Sequence, residues 1–137
     1  MWLKLYWRDE RCYRLVDKYD VREYVKECGL EKILVQNYGM FERFEEFDRA
    51  QLPFPCCIKV THDSGGVWIV KSQEEYEKKK KDILNHFNRK VYNHGREWPY
   101  YHVKPRIIVE EVIQTKDGKS PWDYKIFCFN GKAKFLF

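Results

Sequence analysis

A lysine and a pair of glycines near the middle of the chain have the spacing of a phosphate-binding hairpin. Lys59 belongs to the apolar run 56–60, and the loop over residues 61–66 that follows ends in Gly65 and Gly66. Glycines let backbone N–H groups approach phosphate oxygens closely, and a lysine supplies a point charge. The spacing GxxxxGK[ST] of a Walker loop is absent, since the lysine here precedes the glycines. The pattern predicts either a phosphate-binding hairpin of another kind or an ordinary hairpin loop.

The apolar and turn patterns predict the elements that must position this hairpin. Ser72 and Glu75 have the spacing of a capping box, which marks the start of a helix. Asn130 and Gly131 favour a two-residue hairpin turn, and the sheet itself is expected to begin at residue 56. The predicted elements are helices over 17–29 and from 72 to about 90, strands over 33–35, 56–60, 67–70 and 106–113, a loop with a helical turn over 41–51, and a hairpin of 124–129 with 133–137.

Composition limits the class of protein. The 137 residues are 44% hydrophobic, enough for one domain with a core, and the net charge is +5. That charge suits a polyanionic partner, which could be nucleotide phosphates, nucleic acid, an acidic polymer or anionic lipid. No apolar stretch approaches the roughly 20 residues of a membrane-spanning helix, and the N-terminus lacks a secretory signal pattern, so we expect a cytoplasmic protein. The five cysteines show no CxxC spacing, so we expect neither a zinc site nor a disulfide framework.

Lysines and acids recur in a set order along the whole chain. Asp17-Lys18 opens the first predicted helix, Lys59 and the glycine loop follow, Glu110 lies on a later strand, and Asp123-Tyr124-Lys125 comes last. This order resembles the ATP-grasp superfamily, and in particular its TupA-like branch, the teichuronopeptide-biosynthesis proteins of polysaccharide gene clusters. The segments that carry the resemblance are Leu15-Val16-Asp17-Lys18-Tyr19, Val21-Arg22-Glu23-Tyr24-Val25, Thr61-His62-Asp63-Ser64-Gly65-Gly66, Gly95-Arg96-Glu97-Trp98-Pro99-Tyr100, Val103-Lys104-Pro105-Arg106-Ile107-Ile108, Asp123-Tyr124-Lys125 and Phe129-Asn130-Gly131-Lys132.

The resemblance implies a role for each matched position. The two lysines, Lys18 and Lys59, would hold the ATP phosphates. Glu110 would contact adenine, and Lys125 would hold phosphate or an acyl-phosphate intermediate, the alternative being an ordinary exposed strand lysine. The remaining ATP-binding residues implied are Ser64, Gly65 and Gly66 as a lid over the phosphates, with Glu111 and Ile113 as backbone contacts to adenine.

The resemblance also implies an α+β ATP-grasp fold, an antiparallel sheet with flanking helices, which is expected to be incomplete at its C-terminal end. Proteins of this kind carry their Mg²⁺ ligands on later strands, so we expect those ligands outside this chain and no metal site within it. The expected division is a lead-in over 1–55, a hairpin, helix and hinge strand over 56–113, and the start of a second sheet over 114–137. Exposed sheet at the last strand would favour a homodimer.

The implied function is ATP-dependent ligation of a carboxylate to an amine through an acyl phosphate, in the biosynthesis of a cell-surface polysaccharide or a related polymer. Arg96 and Arg106 could face an acidic carboxylate substrate or polymer, although a structural role is equally compatible with their positions. One alternative is a glycosyltransferase-associated factor. Another is a basic module for polyanions or nucleic acid, suggested by the basic helix with its lysine run 78–81 and by Trp and Tyr residues interleaved with Arg and Lys over 89–106, although we expect no DNA partner.

Overall fold

The chain forms a four-stranded antiparallel sheet with helices on its two faces, followed by a separate hairpin. The computed structural model describes residues 2–63, 65–90, 92, 96–118 and 121–137. This confirms the α+β class predicted from the sequence. The helices are α1 (Trp2–Tyr6), α2 (Arg11–Val16), α3 (Asp20–Glu27), α4 (Phe44–Arg49) and α5 (Gln73–Phe87), with 3₁₀ turns at Glu31–Ile33 and Trp98–Tyr101; the strands are β1 (Asn37–Phe41), β2 (Cys56–Val60), β3 (Val67–Val70), β4 (Ile107–Glu111), β5 (Ile126–Phe129) and β6 (Lys132–Leu136).

The main sheet has the order β1-β4-β2-β3, and every neighbouring pair is antiparallel. Successive side chains of a strand point to opposite faces, so each strand divides its residues between two layers. On one face, Ile58, Val60 and Val109 pack against α4 and α5, where Phe47 and Ile83 are fully buried. The opposite face carries the polar residues described below.

Helix α5 confirms the predicted helix start. The Ser72 hydroxyl accepts the Glu75 backbone N–H at 3.3 Å, which satisfies one of the free amides of the first turn. The Glu75 carboxylate accepts the backbone N–H of Lys71 at 2.9 Å, one residue earlier than a capping box requires. The helix ends at Phe87, before the predicted Lys90.

Several predictions for the first 55 residues are wrong. The predicted helix over 17–29 is only α3, because Asp17 is extended and its carboxylate accepts the backbone N–H groups of Tyr19 and Asp20 at 2.7 and 3.1 Å. The predicted strand over 33–35 is a 3₁₀ turn and its exit, and the strand begins only at Asn37. The sheet therefore begins before residue 56. The sequence signal of β1 is weak because the strand contains Gly39, and glycine is a poor strand former. The pairing of β1 with β4 is also irregular between Asn37 and Gly39.

The C-terminal hairpin was predicted correctly from its turn residues. Strands β5 and β6 pair antiparallel around Asn130 and Gly131, whose φ values of 49° and 72° lie in the left-handed region that a tight two-residue turn needs. All residues of 121–137 are exposed, so the hairpin is held together by its own strand pairing.

Two further features concern the helices and the cysteines in the described part of the chain. None of its helices has the length and the apolar character needed to cross a lipid bilayer. All five cysteines are described there and all are free thiols.

Candidate functional site

A buried glutamate and two cations form the centre of the polar face of the sheet. Lys59 on β2 and Glu110 on β4 both point away from the core, because the residues that alternate with them, Ile58 and Val109, are buried in it. Lys59 lies opposite Ile108 in the strand register, so Glu110 is its diagonal neighbour. The Lys59 ammonium donates to Glu110 Oε2 at 2.6 Å, and the Glu110 side chain is only 4% exposed.

Arg22 on α3 completes this cluster from the other side. Its Nη1 donates to Glu110 Oε1 at 2.6 Å, and its Nη2 donates to the Val35 carbonyl at the same distance. Two cations thus share one carboxylate, which leaves one positive charge in excess at a site largely shielded from water. Such a site favours an anion. Sequence reasoning did not assign a role to Arg22, although it lies in one of the segments that carry the resemblance.

Lys18 reaches the base of the glycine loop. Its ammonium donates to the carbonyls of Val60, at 3.0 Å, and Asp63. Burial lowers the pKa of Lys18 below its ordinary value, and the positive charge of Lys59 lowers it further, while Asp63 opposes the shift. The Val60 carbonyl that Lys18 contacts belongs to the residue after Lys59, so the two predicted phosphate-binding lysines meet at the same end of β2. They lie 41 positions apart in the sequence.

Arg106 fixes the segment that carries Lys18. Its Nη2 contacts the carboxylates of Asp17 and Asp20, each at 2.8 Å, and its guanidinium lies over the Tyr19 ring at 5.1 Å. The Arg106 side chain is 11% exposed. A substrate carboxylate would have to displace these partners, and the predicted substrate-binding role of Arg106 stays a prediction.

Asp63 anchors the first half of the glycine loop. Its side chain is 5% exposed, accepts the Gly65 N–H at Oδ1 at 3.1 Å, and lies 2.5 Å from His86 Nδ1. Burial alone would raise the pKa of Asp63, but the bonds from Gly65 and His86, together with the charge of Arg89, outweigh burial and lower it. The sequence predicted a loop over residues 61–66 but did not indicate these contacts of Asp63. Ser64 lies outside the described residues.

The two glycines of the loop differ in what surrounds them. A Cβ atom on Gly66 would lie 3.1 Å from Val60 Cβ and 3.4 Å from the Trp68 ring, so a side chain there would be tightly packed. A Cβ on Gly65 would meet no atom within 4 Å. The Gly66 carbonyl closes the hairpin by accepting the Val60 N–H at 2.9 Å. Packing is therefore tight beside Gly66, whereas the space beside Gly65 is open.

The end of β4 borders two grooves, with volumes of about 600 and 550 Å³. Both are lined by Pro55 and by residues 112–114, and the predicted adenine contact Ile113 lies between them. Glu111 lines the first groove and Ile69 the second. The walls of the second groove are mostly apolar, which suits a planar heterocycle.

Two predicted site residues have contacts away from this cluster. The Lys125 ammonium pairs with Asp123 at 2.9 Å on the exposed hairpin. Arg96 is exposed, and its guanidinium lies over the Tyr92 ring at 5.5 Å. The structure thus brings together Lys18, Lys59, Glu110 and the glycine loop, but these contacts of Lys125 and Arg96 lie outside that group.

The lysine run of α5 is engaged with its own chain. Lys78 pairs with Glu74 and Lys80 with Asp48, each at 2.6 Å, and the Lys79 ammonium donates to the Ile69 carbonyl at 2.7 Å. The last bond covers an edge carbonyl of the sheet. These pairings favour a structural role for the run over a polyanion-binding one.

The residues on the polar face suit a nucleotide better than a metal ion. The ammonium groups, the guanidinium and the loop amide are donors and cations, which complement phosphate oxygens. Within the described ranges there is no group of three or more His, Cys, Asp or Glu side chains that could hold a metal ion.

Comparison with known proteins gives a single line of evidence. No curated protein and no solved structure matched the chain. The family model described as TupA-like ATPgrasp matches residues 1–137, which is the whole chain, so the protein belongs to the TupA-like ATP-grasp family.

Proposed function

We propose that this chain is the ATP-binding part of an ATP-dependent carboxylate–amine ligase. The observation that carries the proposal is the convergence of Lys18, Lys59 and the glycine loop on one face of the sheet, beside Glu110. Membership of the TupA-like ATP-grasp family supports the same proposal.

In this proposal the two lysines bind the phosphates of ATP. Transfer of the γ-phosphate to a carboxylate concentrates negative charge, and cations fixed in advance stabilise that charge without a costly rearrangement. Lys59 would exchange its bond to Glu110 for a phosphate oxygen, while Arg22 continues to neutralise the glutamate. The amide of Gly65 would supply a further donor.

The other assignments follow from the family. The backbone of Glu111 and Ile113 would contact adenine in the grooves at the end of β4, and Glu110 would contact it from the polar face of the sheet. Ser64 and Gly66 would complete the lid. Lys125 would hold the acyl phosphate, and Arg96 and Arg106 would bind the acidic substrate. The cellular setting proposed is polysaccharide or peptide-polymer biosynthesis in the cytoplasm, with homodimerisation as a further proposal. Mg²⁺ is expected to accompany ATP, but none of these roles depends on a metal ligand in this chain.

The test is a thermal-shift titration with MgATP, since a ligand that binds only the native state raises the melting temperature. Wild-type protein should be stabilised, and Lys59→Met should lose that stabilisation because the phosphate contact is gone. Lys78→Met is the matched control, since Lys78 is 70% exposed on the outer face of α5. A folded wild-type protein that shows no shift at millimolar MgATP would contradict the proposal.

The same variants separate this proposal from the polyanion-binding alternative. A basic surface module would lose affinity for heparin or RNA when residues 78–81 are neutralised, and its binding would fall steeply with salt. The nucleotide site should be insensitive to that change. Loss of MgATP binding in the 78–81 variant, with Lys59→Met unaffected, would favour the alternative.

A further inference from the structure

Asp63 holds a carboxylate at the place where the glycine loop should receive phosphate. Its Oδ1 accepts the N–H of Gly65 at 3.1 Å, and that amide belongs to the half of the loop that has open space beside it. A carboxylate oxygen and a phosphate oxygen compete for the same kind of donor. In the structure the amide is therefore already occupied by an anion of the protein itself.

Contacts outside the loop hold this carboxylate in place. His86 Nδ1 lies 2.5 Å from Asp63 Oδ2, Arg89 lies 3.8 Å from the same oxygen, and the backbone carbonyl of Asp63 accepts from Lys18. His86 is itself placed by the Trp68 ring, edge to face at 5.2 Å. Because α5 carries His86 and β3 carries Trp68, the Asp63 carboxylate is tied to elements outside the loop.

We propose that Asp63 sets the phosphate affinity of the glycine loop by occupying the Gly65 amide, so that a bound phosphate must displace its carboxylate. The proposal rests on the nucleotide-binding function proposed above and assigns a positioning residue within that site. It has a consequence that a purely structural role lacks. Removing the charge of Asp63 lowers the stability of the folded protein but increases its affinity for phosphate.

The test is Asp63→Asn, which keeps the shape of the side chain but replaces the carboxylate with an amide oxygen, a weaker hydrogen-bond acceptor. The melting temperature should fall, because the contact with His86 loses its charge. The dissociation constant for MgATP should also fall, by roughly five- to tenfold, because a competing unit charge is gone. Adenosine, which has no phosphate, should bind wild type and variant equally. Asp63→Ser is the second variant if the Asn protein does not fold.

Asp82→Asn is the matched control. Asp82 lies 3.9 Å from His86, but its side chain is 60% exposed and its carboxylate accepts from the Trp68 indole. The substitution Asp82→Asn removes one negative charge, as Asp63→Asn does, but leaves the Gly65 amide bound to Asp63. Because an exposed charge is screened by solvent, the dissociation constant for MgATP should change less than about twofold.

The outcomes separate this inference from the proposed function. Tighter MgATP binding by Asp63→Asn than by wild type supports the inference. Equal or weaker binding by the variant overturns it and leaves the nucleotide function standing. An equal gain in MgATP affinity in Asp82→Asn also overturns the inference, since the loss of any nearby negative charge would then explain the effect. If no folded variant binds MgATP, both the function and the inference fail.

Discussion

The polar face of the sheet and the C-terminal hairpin each carry a lysine paired with a carboxylate, but the two pairs differ in their surroundings. Lys59 contacts Glu110 at 2.6 Å with side chains 29% and 4% exposed, whereas Lys125 contacts Asp123 at 2.9 Å with side chains 60% and 82% exposed. Charges in water are screened and gain little from pairing, while a buried carboxylate depends on its partners. Although the two N–O distances are similar, the Lys59–Glu110 pair is part of the buried structure and the Lys125–Asp123 pair is a surface contact.

The two regions also differ in how far their contacts reach along the chain. Arg22 and Glu110 are 88 residues apart, whereas Asp123 and Lys125 are two apart. The hairpin can therefore form from local strand pairing alone, but the polar face requires α3, β2 and β4 to pack together first. This comparison predicts large effects of mutation on the face and small ones on the hairpin.

Glu110→Ala should have the largest effect. It leaves Arg22 and Lys59 without their shared counter-ion on a largely buried face, and breaking such a pair costs about 3–5 kcal/mol. Urea unfolding followed by circular dichroism measures the loss. The exposed neighbour Glu111→Ala is the control and should change stability by no more than about 0.5 kcal/mol. Equal stability of the two variants would mean that the buried Glu110 contributes no more to stability than the exposed Glu111.

Gly66→Ala should come next. Its Cβ would lie 3.1 Å from Val60 Cβ, a close contact that Val60 relieves by a small shift, and overpacking of this kind costs about 1–3 kcal/mol. Gly65→Ala is the matched control, because its Cβ meets nothing, and it should unfold at nearly the wild-type urea concentration. The reverse order of stabilities would mean that the loop packs differently from the structure described above.

The pH dependence of stability should show a smaller contribution from His62. Burial lowers the pKa of His62, and the Arg89 carbonyl and Asp63 oppose the shift only in part. The unfolded chain takes up a proton near pH 6.5, before the folded protein does. Stability from the neutral ring is therefore complete above about pH 6.5 and decreases as the pH falls toward the lower folded pKa, by at most about 1.4 kcal/mol per pH unit.

His62→Gln tests this dependence, because its amide can still donate to the Arg89 carbonyl that the His62 ring contacts at 2.9 Å. Urea unfolding of both proteins from pH 7.5 to 5 should give a flatter profile for the variant. Parallel profiles would assign the pH dependence to other groups.

Lys125→Ala should have the smallest effect on stability, within about 0.5 kcal/mol, as expected for an exposed residue. Its predicted catalytic role can then be measured without interference from unfolding. If the variant is strongly destabilised, the hairpin is more than a locally paired surface element, and the comparison drawn above does not hold.

The chain's local signals were sufficient for the central hairpin, for α5 and for the Asn130-Gly131 turn. Each of these depends on neighbours a few residues apart, such as Ser72 and Glu75 at a helix start, or on an apolar run of strand length. The residues of the nucleotide site that were predicted came from short motifs in a set order. Their individual roles remain predictions.

Only the tertiary structure decided which charges meet. The start of α3 was misplaced because the Asp17 carboxylate lies ahead of the helix, where it accepts from two nearby backbone N–H groups and from Arg106, a partner 89 residues away. Strand β1 was missed because its partner β4 supplies the pairing that its own sequence does not signal. Arg22 carried no local sign of its bond to Glu110, and Asp63 carried none of its contact with His86. Sequence patterns report periodicity within an element, whereas the face on which a side chain meets its partner depends on strand register and helix packing across the whole chain.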